Sequence, residues 1–72
     1  MNEKHSARCI RIAMAQAQIT SAELSQRLKV SGPTVWRWRT RGTNSIDTLG
    51  RIAKICGVRL ADMLDPEFDG ES

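Results

Sequence analysis

The sequence of 72 residues contains no long apolar run and no segment in which apolar and polar residues alternate over the length of a strand. No stretch approaches the roughly 18 apolar residues that a membrane span needs. The charged N-terminus is not followed by the apolar block of a secretory signal. We therefore expect a protein that stays in the cytoplasm of the cell that makes it.

Cysteine and histidine are scarce, with two cysteines and one histidine in the chain. Cys9 and Cys56 are far apart in the sequence, and His5 lies near the N-terminus. In a chain without a secretory signal, such cysteines are better interpreted as small buried apolar groups than as a disulfide or a metal site. We expect no metal ion and no cofactor.

The arrangements that catalysis needs are also missing. Ser25 has no histidine partner, no pair of carboxylates is spaced for acid–base work, and no glycine-rich loop is present to hold a phosphate. We therefore expect neither an enzyme nor a protein that binds a small-molecule ligand.

What the sequence does contain is apolar residues at intervals of three and four, the period of an amphipathic helix. A chain this short forms one domain at most. The pattern predicts an all-α fold, a compact bundle of five short helices. The predicted helices are residues 6–17, residues 21–28, residues 32 to about 40, a fourth that begins after Ser45 and stops at Gly57, and a short fifth that contains Val58, Leu60, Met63 and Leu64 and is ended by Pro66.

The predicted helix starts carry capping signals. Thr20 and Glu23 have the spacing of a capping box. Ser31 precedes Pro33, which fits the first turn of a helix because its missing N–H would have no partner there. Only two residues separate the second helix from Ser31, so a tight turn joins the second helix to the third.

Positive charge is concentrated in the first half of the chain. Residues 1–41 contain eight lysines and arginines and two acidic residues, whereas residues 65–72 contain four acidic residues and no basic one. Such a surface suits a polyanionic partner, although a solvated charged face would have the same composition. We assign residues 1–64 to the folded domain and expect residues 65–72 to form a flexible acidic tail.

The only two tryptophans lie two residues apart on the predicted third helix. A helix turns by about 100° per residue, so Trp36 and Trp38 point to different sides and cannot share one core. Val35 and Trp38 are expected on the buried side. The outward face then consists of Pro33, Trp36, Arg37 and Thr40. An exposed tryptophan beside an arginine is costly unless something docks there, and two short helices with a positive outer face have the geometry that enters the major groove of DNA.

Two stretches resemble a known family. TSAELSQRLKVSGPTVWRW and IDTLGRIAKICGVRLADML resemble the helix-turn-helix family of phage repressors and Cro proteins, and the resemblance covers about residues 7–64. The matching residues are Thr20, Glu23, Leu24, Ser25, Leu28, Val30, Ser31, Thr34, Val35, Arg37, Trp38, Thr48, Leu49, Ile52, Ala53 and Lys54. The stretch from Pro33 to Trp38 also resembles short Cro-like proteins carried by prophages.

The resemblance implies a sequence-specific regulator that binds double-stranded DNA, and more narrowly a Cro-like repressor in a bacterial cytoplasm. It would bind a palindromic operator as a homodimer, with the third helix in the major groove and half-sites about 34 Å apart. A domain this small has a thin core that is not expected to bury all of its apolar residues. The expected dimer surface consists of Leu60, Met63, Leu64 and Phe68.

The resemblance also assigns roles to residues in and around the third helix. Gly32 and Pro33 occupy positions where relatives often carry polar base-reading side chains, and neither can donate a hydrogen bond from its side chain. Arg37 is the strongest candidate, since a guanidinium bridges O6 and N7 of guanine. The expected base-reading residues are Pro33, Thr34, Trp36, Arg37 and Thr40. The expected phosphate contacts are Ser21, Lys29, Arg39, Arg41, Thr43 and Asn44. Ordinary solvated surface is the alternative for these residues, a dimer seam is a further alternative for Trp36, and Arg8 and Arg11 are expected on solvated helix faces.

Two departures from the family pattern affect the expected structure. Lys29 stands where the family usually has glycine, and a left-handed non-glycine residue costs on the order of 1 kcal/mol, so we expect a slightly reshaped turn. The loop between Trp38 and Thr48 is about one residue shorter than the pattern. The position of the fourth helix is therefore predicted less well than that of the third.

Two other functions suit the same fold. An antitoxin would bind its own operator and hold a toxin with the acidic tail, and an excisionase-like protein would bend DNA at attachment sites. A module that binds only proteins is the least favoured alternative, because it does not need Arg37 beside an exposed Trp36.

Overall fold

Five helices follow one another in the computed structural model, which describes residues 3–64 and the side chains of residues 5–64. They are α1 (Glu3–Ala17), α2 (Ser21–Leu28), α3 (Gly32–Thr40), α4 (Ile46–Cys56) and α5 (Leu60–Met63). This part of the chain contains no strand, and the predicted all-α fold is confirmed. Within the same residues, no helix combines the length and the apolar character that crossing a bilayer requires. The predicted tail, with Pro66 and Phe68, lies outside the described residues.

The first helix begins at Glu3 rather than at the predicted residue 6. Its early residues matter for packing, because Ser6 is fully buried and its hydroxyl accepts a hydrogen bond from the N–H of Thr43 at 2.9 Å. The Thr43 hydroxyl in turn accepts a hydrogen bond from the N–H of Ser45 at 3.1 Å. These two bonds hold the loop between α3 and α4 against α1.

The predicted caps are present at the starts of α2, α3 and α4. The hydroxyl of Thr20 accepts a hydrogen bond from the N–H of Glu23 at 3.1 Å, and the Glu23 carboxylate accepts one from the N–H of Thr20 at 3.5 Å. Ser31 and Ser45 each accept a hydrogen bond from the N–H three residues further on, at 3.3 and 3.2 Å. Each cap satisfies a backbone donor that has no partner inside its helix.

The turn between α2 and α3 is not reshaped by its lysine. Lys29 has φ 58° and ψ 45°, the left-handed conformation that glycine adopts without strain. The N–H of Val30 reaches back to the carbonyl oxygen of Ser25 at 3.0 Å and closes the turn. The expectation of a reshaped turn is therefore corrected: the backbone keeps its geometry, and Lys29 carries a strain on the order of 1 kcal/mol.

The helices enclose one apolar core. The first helix packs against α3, α4 and α5, and the second packs against α3 and α4. The core consists of Cys9, Ile10, Ala13, Met14, Leu24, Val35, Leu49, Ile52, Ala53, Cys56 and Met63. Trp38 is half-buried and packs against this core, as the sequence predicts.

Both cysteines lie in that core as free thiols, which confirms their interpretation as buried apolar groups. Burial raises the pKa of the Cys56 thiol, and the positive charge of Arg27 opposes that shift to a smaller extent. The sulfur of Cys9 lies 3.4 Å from Nε2 of His5, four residues away on α1. Among the described residues, no three potential metal ligands come together.

The apolar residues near α5 do not all lie where the dimer prediction puts them. Met63 is completely buried in the core, so it is not available to a second subunit, and this part of the prediction is corrected. Leu60 is half-buried against the same core. Leu64 is 37% exposed, and Phe68 lies outside the described residues.

Candidate nucleic-acid interface

The third helix has one buried side and one exposed side. Val35 is fully buried, whereas 61% of the Trp36 surface is exposed. The exposed residues of α3 are Gly32, Pro33, Trp36, Arg37 and Thr40. The outward face predicted from the sequence is therefore exposed in the structure, and we call Pro33, Trp36, Arg37 and Thr40 the outer face of α3.

The rotation of α3 follows from the packing of its inner side. Val35 and Trp38 are three residues apart, so both lie on the side of the helix that meets the core. Since successive residues are about 100° apart, this packing turns Trp36 away from the core. Neither the Arg51–Asp47 ion pair nor the Arg59–Asp62 ion pair involves the outer face.

The hydroxyl groups of α3 are already engaged within the protein. The Ser31 and Thr34 hydroxyls lie 2.7 Å apart and hydrogen-bond to each other, and Ser31 also caps the helix. The hydroxyl of Thr40 donates to the carbonyl oxygen of Trp36 at 2.9 Å. Thr34 is half-buried, and Thr40 is exposed with its donor hydrogen used. Hydroxyl donors are therefore few on this surface.

Packing does not explain why the first residue of α3, Gly32, is a glycine. A Cβ atom built on Gly32 would have no atom within 4 Å, and Gly32 is not among the residues with a positive φ. Pro33 follows it in the first turn. The fold would therefore accept a side chain at this position. Glycine here leaves the exposed start of α3 without a side chain that could contact a partner.

Two residues that are predicted to contact phosphates, Ser21 and Arg39, are hydrogen-bonded to each other. A guanidinium nitrogen of Arg39 donates a hydrogen bond to the Ser21 hydroxyl at 2.6 Å, which links the end of α3 to the first residue of α2. A guanidinium nitrogen of Arg11 donates to the backbone carbonyl oxygen of Arg39. The Nε of Arg39 is buried and has no hydrogen-bond partner within the described part of the chain. Arg39 therefore braces α2 against α3 as well as adding charge.

These residues line an open groove of about 340 Å³ at the α1–α2 turn. The groove is lined by Arg11, Met14, Ala15, Ile19, Thr20, Ser21 and Arg39. The Ser21 hydroxyl accepts a hydrogen bond from Arg39, and a serine hydroxyl that accepts one hydrogen bond can donate its own hydrogen to a second group such as an anion. The N-terminus of α2 adds a partial positive charge at the same place.

The remaining predicted phosphate contacts lie at the two ends of α3. Lys29 is exposed in the preceding turn, and Arg41 and Asn44 are exposed after the helix. Thr43 differs from the others, since it is half-buried, its hydroxyl accepts a hydrogen bond from the N–H of Ser45 within the loop, and its N–H donates to Ser6 on α1. Its side chain therefore holds the loop in place.

Sequence reasoning missed the contact of Arg11. This residue was expected on a solvated face, and although its side chain is exposed, it bonds to a carbonyl oxygen 28 residues further along the chain. No local pattern signals such a contact, because it depends on how α1 packs against α3.

The comparison with known families identifies the fold and its partner. Residues 9–69 match the family model of the Cro/C1-type HTH DNA-binding domain. This match covers most of the chain, so the chain belongs to the Cro/C1-type helix-turn-helix family, which confirms the resemblance seen in the sequence. Membership makes it a sequence-specific DNA-binding regulator. No curated protein and no solved structure gives a significant match.

Proposed function

We propose that this chain is a Cro-like repressor that binds a palindromic operator as a homodimer, with α3 in the major groove. The observation that carries the proposal is the outer face of α3, where Trp36 is 61% exposed beside the exposed Arg37. Tryptophan and arginine are among the side chains that most often anchor binding interfaces. Family membership indicates that this partner is DNA.

Base reading falls to the outer face of α3 together with Thr34. Arg37 is the principal reader, because its guanidinium has the geometry to bridge O6 and N7 of guanine. Trp36 and Pro33 offer apolar surface to the same groove. Thr34 and Thr40 flank them, with hydroxyls that already have partners in the protein.

Phosphate contacts frame this surface on both sides. On one side, Ser21 and Arg39 face the groove at the start of α2, where a phosphate would meet a hydroxyl, a guanidinium and the positive end of a helix. On the other side, the exposed Lys29, Arg41 and Asn44 lie next to the two ends of α3. Thr43 supports this second group through its loop.

The length of α3 favours two copies on one operator. With nine residues, α3 is about 14 Å long at 1.5 Å per residue, enough for one major-groove segment, and the next segment on the same side of a duplex lies roughly 34 Å away. One copy therefore reaches one half-site. Of the residues predicted for the dimer surface, Leu64 is the one that the described chain leaves exposed, directly after α5.

The test is a selection from random duplexes at two salt concentrations, with the full chain. We expect one enriched palindrome whose half-sites are about one helical turn apart, and two copies of the protein per duplex by sedimentation. Affinity should fall with added salt, with a slope of about 0.9 for each phosphate neutralised. A selection that enriches no sequence would contradict the proposal.

Repression, antitoxin action and DNA bending give different results once the operator is known. A promoter that contains the operator should be silenced by the protein in a reporter assay. Strong bending in a circular-permutation assay would favour the excisionase-like alternative, and co-purification of a small toxic protein would favour the antitoxin alternative.

A further inference from the structure

We propose that α3 recognises the C5-methyl groups of pyrimidines, with the exposed indole of Trp36 as the reading surface and Arg37 as the one strong hydrogen-bonding reader. This inference rests on the proposed binding of α3 in the major groove. It adds the chemical feature of the base that the helix selects.

Apart from Arg37, the outward side chains of α3 offer few hydrogen-bonding groups to a base. Gly32 has no side chain, and the side chain of Pro33 has no polar atom. The Ser31 and Thr34 hydroxyls bond to each other at 2.7 Å, so at most one of their two hydrogens is left for a base. The Thr40 hydroxyl donates its hydrogen to the Trp36 carbonyl oxygen. A helix built in this way reads few base edges by hydrogen bonds.

The outer face of α3 offers apolar surface instead. The indole of Trp36 is 61% exposed and is the largest exposed apolar side chain of the described residues. Among the base edges of the major groove, the C5-methyl group of thymine is the apolar feature. An indole that lies in that groove therefore gains more free energy from apolar burial against a methyl group than against the C5–H of a pyrimidine that lacks the methyl group.

Trp36 is not needed for the packing of the fold. The core is completed without it, by Val35 and Trp38 from the same helix. The side chain of its neighbour Arg37 is exposed on the same outer face. A guanidinium and an indole side by side match a guanine next to a methylated pyrimidine.

The experiment uses the operator obtained from the random-duplex selection. Each thymine in the half-site is replaced in turn by uracil, which removes only the methyl group, and then by 5-bromouracil, which restores a substituent of similar size. Burial of one methyl group corresponds to about a fourfold change in affinity. We expect about that loss with uracil at one or two positions, and recovery with 5-bromouracil.

Two variants assign the effect to the indole. Trp36→Ala should bind the thymine and uracil operators equally well, because it has lost the surface that distinguishes them. Ile46→Ala removes another exposed apolar side chain, 52% exposed at the start of α4, and should retain the preference for thymine. Circular dichroism of both variants checks that the fold is unchanged.

Three results would overturn the inference while leaving the proposed function intact. They are an operator with no thymine in the half-site, an operator on which uracil changes nothing at any position, and a Trp36→Ala variant that keeps the full thymine preference. One form of the third result is a Trp36→Ala variant that binds every duplex more weakly by the same factor, which would place the indole on the sugar–phosphate backbone. A selection without any enriched sequence is the separate result that contradicts the proposed function.

Discussion

The third and fourth helices have similar lengths but bury different numbers of their side chains. The fourth helix places Leu49, Ile52, Ala53 and Cys56 in the core, whereas α3 buries only Val35 completely and exposes Trp36. The fourth helix is held by its apolar stripe. The third is held by a capping serine, Val35, the half-buried Trp38, the bond from Arg39 to Ser21 and the bond from Arg11 to the Arg39 carbonyl oxygen, and it packs against both α1 and α2. The comparison teaches that α3 is fixed along one side only, which leaves its outer face exposed.

The largest expected effect tests this contrast through stability. Leu49→Ala empties part of the core and should lower the free energy of unfolding by about 2–5 kcal/mol. Trp36→Ala removes a larger side chain from a mostly exposed position and should cost less than about 1 kcal/mol. Urea denaturation followed by circular dichroism measures both. Equal losses for the two variants would show that Trp36 supports the fold, and the contrast between the two helices would fail.

The next effect concerns specificity. Arg37→Ala should remove about 1–3 kcal/mol of discrimination between the operator and an unrelated duplex, with little change in stability. Arg51→Ala is the matched control, because it removes an exposed arginine from α4 whose partner is Asp47. Titrations of both duplexes measure the discrimination. If Arg37→Ala weakened binding to both duplexes by one factor, Arg37 would be a phosphate contact and not a base reader.

The brace between α2 and α3 should have a smaller effect. Ser21→Ala leaves a guanidinium nitrogen of Arg39 without its partner and should lower the free energy of unfolding by about 1 kcal/mol. It should also weaken binding to all duplexes alike, since the lost hydroxyl is proposed to face a phosphate. Ser25→Ala is the control on the same helix, where the hydroxyl bonds to the carbonyl oxygen of Ala22. A Ser21→Ala variant with unchanged binding would restrict Ser21 to a structural role.

The structural features that the sequence predicts correctly are those set by interactions between residues that are close together in the chain. The caps at Thr20, Ser31 and Ser45 are local signals, and with the helical period they place α2, α3 and α4 as observed. The exposure of Trp36 follows from the same period, because two tryptophans two residues apart cannot share a core. Local signals are therefore enough for the helices and for the outer face of α3.

Contacts between distant segments are not predictable in this way. The burial of Ser6 against the loop after α3 and the bond from Arg11 to Arg39 both depend on how α1 packs. Met63 shows the same limit, since a count of apolar residues assigns it to a dimer surface while α5 turns it into the core. Whether an apolar residue near the end of a small domain completes that domain or meets a second copy is decided by tertiary packing.

The smallest expected effect concerns the turn that positions α3 relative to α2. Lys29→Gly should raise the free energy of unfolding by about 0.5 kcal/mol, because relief of the left-handed strain slightly exceeds the extra chain entropy of glycine. Lys54→Gly, at an exposed position inside α4, should lower it by about 1 kcal/mol, because there the lysine has ordinary helical geometry. Urea denaturation of the two variants gives the comparison. Changes of opposite sign in the free energy of unfolding would show that the backbone is strained at Lys29 and unstrained at Lys54. A loss of stability in both variants would mean that Lys29 adopts its left-handed conformation without strain.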